Sequence, residues 1–325
     1  MIARLLVGLD GSRLSEEALP HAAALARAFD AELILLRVLE AGSGITSPID
    51  SVGWRLARAE ATAYLEEIAG PLRRAGLEVR NELAEGKAAE QMVELAHDQG
   101  VDLIALCSHG EGGFSPFNLS GTAQKILAHS GLSVLLVRSA RAAGESEPRE
   151  AVAYRRILAP VDCSQRSEWA SCLAASIARS EKAELLLAAA IPIPETLMQP
   201  PLGAADQALV DQLVARNRRH AESFLRALKS RLAHPGLLVR TLVKVTARVG
   251  ETLRDLAREE AVDLVVVSAH GGSGEAPWPY GAVAARLIER GTTPLLAFQD
   301  QAVRELDAAG AKVAARDSRR ARRRA

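Results

Sequence analysis

Aromatic residues make up only 3% of this 325-residue chain, so its cores must be assembled from Ala, Leu, Val and Ile. Cysteine is scarce as well. Cys107, Cys163 and Cys172 form no Cys-x-x-Cys pair, and three is an odd number, which argues against both a disulfide framework and a zinc site. An excess of one charge is also missing: Lys plus Arg number 40 and Asp plus Glu number 40, so the chain as a whole is not drawn to nucleic acid. No run approaches the roughly 20 apolar residues of a membrane helix. The apolar stretch at residues 5–9 lacks the length of a signal peptide. These absences lead to the expectation of a cytoplasmic protein with no membrane partner.

What is present is a duplicated stretch. Val101-Asp-Leu-Ile-Ala-Leu-Cys-Ser-His-Gly110 returns as Val262-Asp-Leu-Val-Val-Val-Ser-Ala-His-Gly271. Each copy is a short apolar run, as in a buried parallel strand, closed by His-Gly and followed by a glycine-rich loop and a helical pattern. Arg4-Leu-Leu-Val-Gly-Leu-Asp10 likewise returns as Arg156-Ile-Leu-Ala-Pro-Val-Asp162. Asp10 and Asp162 stand 152 residues apart, and His109 and His270 stand 161 apart. Two constant offsets mark an internal duplication, with extra residues in the second copy's middle loop.

Strand-like and helix-like patterns alternate through both copies, which predicts two Rossmann-like doubly wound α/β domains. Each is a five-stranded parallel sheet with helices on both faces. The domains span 1–139 and 154–299, joined by a charged linker at 140–153. Residues 300–325 form a basic tail, expected to be disordered. Within the first domain a helix is expected at 54–74, and Pro20 is expected to distort a turn of the helix that follows the first strand. The loop between a strand's carboxyl end and a helix start is where such sheets bind phosphorylated ligands, because backbone N–H groups and the positive end of the helix dipole converge there.

On Asp10-Gly-Ser12, Arg37-Val38, Val101-Asp-Leu103, Ser108-His-Gly110 and Gly121-Thr122, the chain resembles the universal stress protein family in its tandem two-domain form. Asp162, Val262-Asp-Leu264, Ala269-His-Gly271 and Gly281 carry the resemblance in the second half. The ATP-binding members of that family carry Gly, two residues, Gly, nine residues, Gly, then Ser or Thr. An Asp ending the first strand and a residue ending the second contact the base. The resemblance thus implies a site of Asp10, Val38, Cys107, Gly110, Gly121 and Thr122 in the first half. In the second it implies Asp162, Ala190, Ser268, Gly271, Gly281 and Ala282. Both copies depart from the pattern. Cys107 and Ser268 replace the first glycine, ten residues separate Gly110 from Gly121, and Ala282 has no hydroxyl.

The expected function is adenine-nucleotide binding, ATP or AMP with or without Mg, by a regulatory stress-response protein that has no catalytic chemistry of its own; slow ATP hydrolysis is the one reaction left open. The first half, with Asp10, Val38 and Thr122, is the expected binding half. The halves are expected to pack as an internal pseudo-dimer or the chain as a homodimer, with a protein partner that the sequence does not identify. Two rivals stand beside this reading: a nucleotide-independent interaction module, and an adenylating enzyme of the wider nucleotide-binding α/β group. Asp10 and Asp162 have a bland role too, holding backbone N–H groups at a turn. His109 and His270 read as loop anchors and Cys107 as a small buried hydrophobe. The aromatic and proline residues Phe114, Pro116, Phe117, Pro277, Trp278, Pro279 and Tyr280 suggest a cover or an interface. Residues beyond 300 carry eight positive and three negative side chains; this Arg-rich tail reads as a solvated segment, with nucleic acid or anionic lipid as its alternative partners.

Overall fold

The computed structural model describes residues 2–40, 51–108, 119–138, 152–194, 203–272 and 279–300. They divide into two compact units, one built on Met1–Val152 and the other on Ala153–Gly274 with Tyr280–Phe298. The first contains β1 (Arg4–Leu9), α1 (Arg13–Glu16), α2 (Ala18–Phe29), β2 (Glu32–Leu39), α3 (Ser51–Arg74) and β3 (Val79–Glu85). It continues with α4 (Ala88–Asp98), β4 (Leu103–Cys107), α5 (Gly121–His129) and β5 (Ser133–Val137). Its strands pair in parallel in the order β3-β2-β1-β4-β5.

The second unit repeats the plan. It runs β6 (Arg156–Pro160), α6 (Gln165–Glu181), β7 (Glu184–Pro192), α7 (Ala204–Arg231), β8 (Val239–Thr246), α8 (Val249–Glu259), β9 (Leu264–Ser268), α9 (Ala282–Arg290) and β10 (Leu295–Phe298). Its order is β8-β7-β6-β9-β10, again parallel. In each unit the strand order reverses beside the first strand, so right-handed crossovers lay helices on both faces. The doubly wound fold expected from the sequence is the fold observed. The reversal also opens a crevice at the carboxyl ends of β1 and β4, and of β6 and β9, where α/β sheets take ligands.

The central strands are apolar on both faces because both faces are covered. Leu5, Leu6, Leu33, Ile34, Leu103 and Ile104 are fully buried, as are Ile157, Leu158, Leu185, Leu186 and Leu264. The helix after β1 breaks at Glu17 into α1 and α2. Pro20 offers no N–H to the carbonyl of Glu16, which is the expected distortion. α3 begins at Ser51 and so extends the helix expected at 54–74 toward its amino end.

The Asp of each repeated Val-Asp-Leu holds the start of the neighbouring strand. Asp102 Oδ2 accepts the N–H groups of Ala3 and Arg4 at 2.7 and 3.1 Å. Asp263 Oδ2 accepts those of Arg155 and Arg156 at 2.6 and 2.8 Å. Both carboxylates lie at the amino-terminal edge of their sheets, away from the crevice.

Candidate functional site

Each crevice begins at a turn built the same way twice. Asp10 Oδ1 accepts the Ser12 N–H at 2.8 Å, and Asp162 Oδ1 accepts the Ser164 N–H at 3.0 Å. This is the Asx turn, in which a side chain stands in for a backbone carbonyl. Ser12 and Ser164 then cap the next helix. Ser12 Oγ accepts from the Ser15 N–H at 3.1 Å, and Ser164 Oγ from the Ser167 N–H at 3.2 Å. The middle residue takes a left-handed backbone in both copies, φ 83° at Gly11 and φ 65° at Cys163.

A cysteine there carries about 1–2 kcal/mol of strain that a glycine would not, against the larger entropy that glycine loses on folding. Cys163→Gly is therefore expected to stabilise the second unit by about 0.5–1 kcal/mol. Urea denaturation checks this, and a destabilised variant would show that the Cys163 side chain holds the turn by packing. Burial first, and the nearby Asp162 carboxylate second, push the Cys163 thiol above its ordinary pKa, so it is not primed as a nucleophile.

In the second unit the turn carboxylate also reaches the glycine loop. Asp162 Oδ2 accepts the Gly272 N–H at 2.8 Å, and the Ser164 hydroxyl donates to Oδ1 at 2.5 Å. Burial alone would raise the carboxyl's pKa. The hydrogen bonds from the Ser164 hydroxyl, the Gly272 and Ser164 N–H groups and the Ser167 hydroxyl outweigh it and hold the group below its usual value. A Cβ on Gly271 would lie 2.5 Å from Asp162 Oδ2, so the glycine permits this close approach. Ser268 is 7% exposed and His270 3%. The Ser268 hydroxyl donates to the backbone carbonyl of His270 at 2.7 Å rather than serving its ring. That geometry is not a nucleophile-and-base pair. In the first unit Cys107 is buried at the end of β4, as a small apolar group would be. His109, Gly110, Phe114, Pro116 and Phe117 lie outside the described residues, as do Pro277 and Trp278. Tyr280 is buried and therefore not part of an exposed aromatic cover.

The helix starts correct one pairing made from the sequence. Gly281 caps α9, and its N–H donates to the Ala269 carbonyl at 2.7 Å. The counterpart in the first unit is Ser120, which caps α5 and whose N–H donates to the Ser108 carbonyl at 2.8 Å. Ser108 and Ala269 are 161 residues apart, and so are Ser120 and Gly281. Gly121 thus matches Ala282, and Thr122 is the second residue of its helix. The apparent extra loop residue in the first half disappears, because nine residues separate Gly110 from Ser120. The physical reason is that serine is a strong cap: its hydroxyl accepts the Ala123 N–H at 3.2 Å. Gly281 has no side chain to cap α9, so among the described residues no cap side chain takes its leading N–H groups, which suits an anion. Val38 and Ala190 sit near the ends of β2 and β7, opposite Ala84 and Lys244 of the edge strands, and both are partly buried.

Arg37 was given no role from the sequence. Its guanidinium stacks on Tyr64, 5.4 Å from the ring centroid, and the Tyr64 hydroxyl donates to Glu16 Oε1 at 2.9 Å. The Arg37 head lies against Gly11, where a Cβ would collide with Nη1. Nε and Nη1 are buried with no hydrogen-bond partner among the described residues. At the 152-residue offset the second unit has Ala189. The signal lay in the sequence, as a long cation next to the base-contact position in one copy only.

No group of three or more His, Cys, Asp or Glu able to hold a metal occurs among the described residues. The sequence model of the universal stress protein family matches residues 1–138 and again 153–299. A universal stress protein of Methanocaldococcus jannaschii is 27% identical over 139 residues, covering 42% of this chain and 81% of that protein. One from Bacillus subtilis is 28% identical over 148 residues, covering 42% of this chain and 100% of its own. The crystal structure of a universal stress protein from Archaeoglobus fulgidus covers 92% of this chain and 98% of its own, with TM-score 0.61 at 15% identity. The last is a likeness of fold.

Proposed function

This chain belongs to the universal stress protein family, and from that premise we propose that it is a regulatory adenine-nucleotide-binding protein of the stress response. The nucleotide, ATP or AMP with Mg accompanying ATP, sits in the crevice of the second unit with its phosphates over the start of α9. The observation that carries this reading is the first turn of α9, where Gly281 offers no capping side chain among the described residues. Asp162 holds the adjoining Gly271-Gly272 segment in front of it. In the first unit the Ser120 hydroxyl already occupies one of the equivalent N–H groups. The expectation that the first half binds rested on Asp10-Gly-Ser12, Val38 and Thr122; of these, Thr122 is the second residue of α5, behind the Ser120 cap. Residues 1–139 and 154–299 act as two modules joined by 140–153. Bound nucleotide shifts partner choice, without chemistry at the ligand.

One observation favours the nucleotide-independent interaction module: Asp162, placed to meet a base, is committed to Ser164 and Gly272. Calorimetric titration with ATP and AMP separates the two. Gly281→Asp puts a carboxylate where the phosphates would rest and should weaken binding about tenfold or more, while Gly121→Asp leaves it unchanged. The reverse pattern moves the site to the first unit. If the unaltered protein takes up neither nucleotide at millimolar concentration, the interaction module replaces this reading.

A further inference from the structure

The edge strand β8 has no strand partner on its outer side among the described residues. Which of its backbone groups face that edge follows from the ladder. The carbonyls of Leu238 and Thr246 accept from Leu185 and Ile193, so even-numbered residues turn their backbone toward β7. Val239, Thr241, Val243 and Val245 therefore present N–H and C=O outward. A groove of about 770 Å³ runs between this edge and α7, floored by Leu225, Leu237, Val239 and Val243. Arg226 and Lys229 stand exposed along its helix side. Neither has a carboxylate partner among the described residues.

The duplicate unit shows what a closed version looks like. Leu33 pairs with Val79 as Leu185 pairs with Val239, which sets an offset of 160 for the edge strands. At the first unit's edge, Arg73 Nε donates to the outward carbonyl of Val79 at 3.1 Å. Asn81 Nδ2 donates to Glu66 at 2.9 Å, and Arg73 pairs with the same carboxylate. The second unit has Ala233 for Arg73, Thr241 for Asn81 and Arg226 for Glu66. The covering cation is gone, the tie across the edge is gone, and the sign of the charge beside it is reversed.

We propose that the β8 edge with its α7 groove binds an extended acidic peptide segment of a partner protein, which adds as a strand. Backbone hydrogen bonds to Val239, Thr241 and Val243 would hold the segment. Apolar side chains facing the groove floor, with carboxylates meeting Arg226 and Lys229, would select it. A second copy of this edge would bring Arg226 and Lys229 against their own like charges, and the chain's segment beyond residue 300 is basic, so both are poor occupants. On the other face Arg240 and Lys244 are spoken for by Glu260 and Glu259.

The test is fluorescence anisotropy of the full chain with two labelled ten-residue peptides, one alternating Glu and Val, the other Lys and Val. The Glu/Val peptide should bind, and its affinity should fall about tenfold or more at high salt. Val243→Pro removes an outward N–H and no ladder hydrogen bond, so it should cut binding at least about tenfold with an unchanged circular dichroism spectrum. The double variant Arg226→Glu, Lys229→Glu should switch preference to the Lys/Val peptide, and it keeps the question decidable if the proline variant misfolds. Equal binding of both peptides, no binding at millimolar peptide, or a double variant that keeps the Glu/Val preference would each overturn the proposal. So would a folded Val243→Pro variant that binds like the unaltered chain.

Discussion

Gly271→Ala is expected to destabilise the second unit by about 2–4 kcal/mol, from overpacking together with the loss of a charged hydrogen bond. The added Cβ would meet Asp162 Oδ2 at 2.5 Å. That oxygen cannot step aside cheaply, because Oδ1 is fixed by the Ser164 N–H and hydroxyl while Oδ2 holds the Gly272 N–H. The loop must then move and leave the carboxylate partly unmet. Urea denaturation reads the loss. Asp162→Ala removes the obstructing oxygen, so the double variant should cost clearly less than the sum of the two single changes. A Gly271→Ala protein within about 0.5 kcal/mol of the unaltered chain would refute the clasp.

Gly11→Ala should cost the first unit about 2–3 kcal/mol, from two separable sources. The φ of 83° imposes strain on any residue with a Cβ. The Cβ would also collide with the Arg37 guanidinium, which is boxed in by its stack on Tyr64. Adding Arg37→Ala relieves the second source and should return about 1 kcal/mol or more. If Arg37→Ala returns nothing, the collision is not what fixes glycine at this position. The second unit has already made the exchange, with Ala189 where Arg37 would be and a cysteine in the left-handed position.

What was legible in the sequence is what depends on pattern. The buried strands at Leu5, Leu33, Leu103 and their repeats announced themselves as apolar runs, and two constant offsets exposed the duplication. The turn after β6 was half legible: Ser164 and Ser167 repeat Ser12 and Ser15 at the same offset, but Cys163 in place of Gly11 hid it. The start of α5 at Gly121 was legible, but its counterpart of Gly281 was misread, because a glycine was sought where serine, a stronger cap, had taken over. The clasp between Asp162 and Gly272 joins residues 110 apart, and the position of the Arg37 head depends on Tyr64 of α3. Neither is written in any local spacing.

The Val-Asp-Leu clip has a consequence for reading relatives of this chain. The Asp that makes the repeat easy to find secures a strand start, whereas the crevice lies at the other end of the five-residue strand, roughly 16 Å away along the backbone. The repeated clip and the crevice thus stand at opposite poles of the strand. Substitution at Cys107, Ser120, Ser268 or Ala282 alters the crevice while the strand clip stays intact.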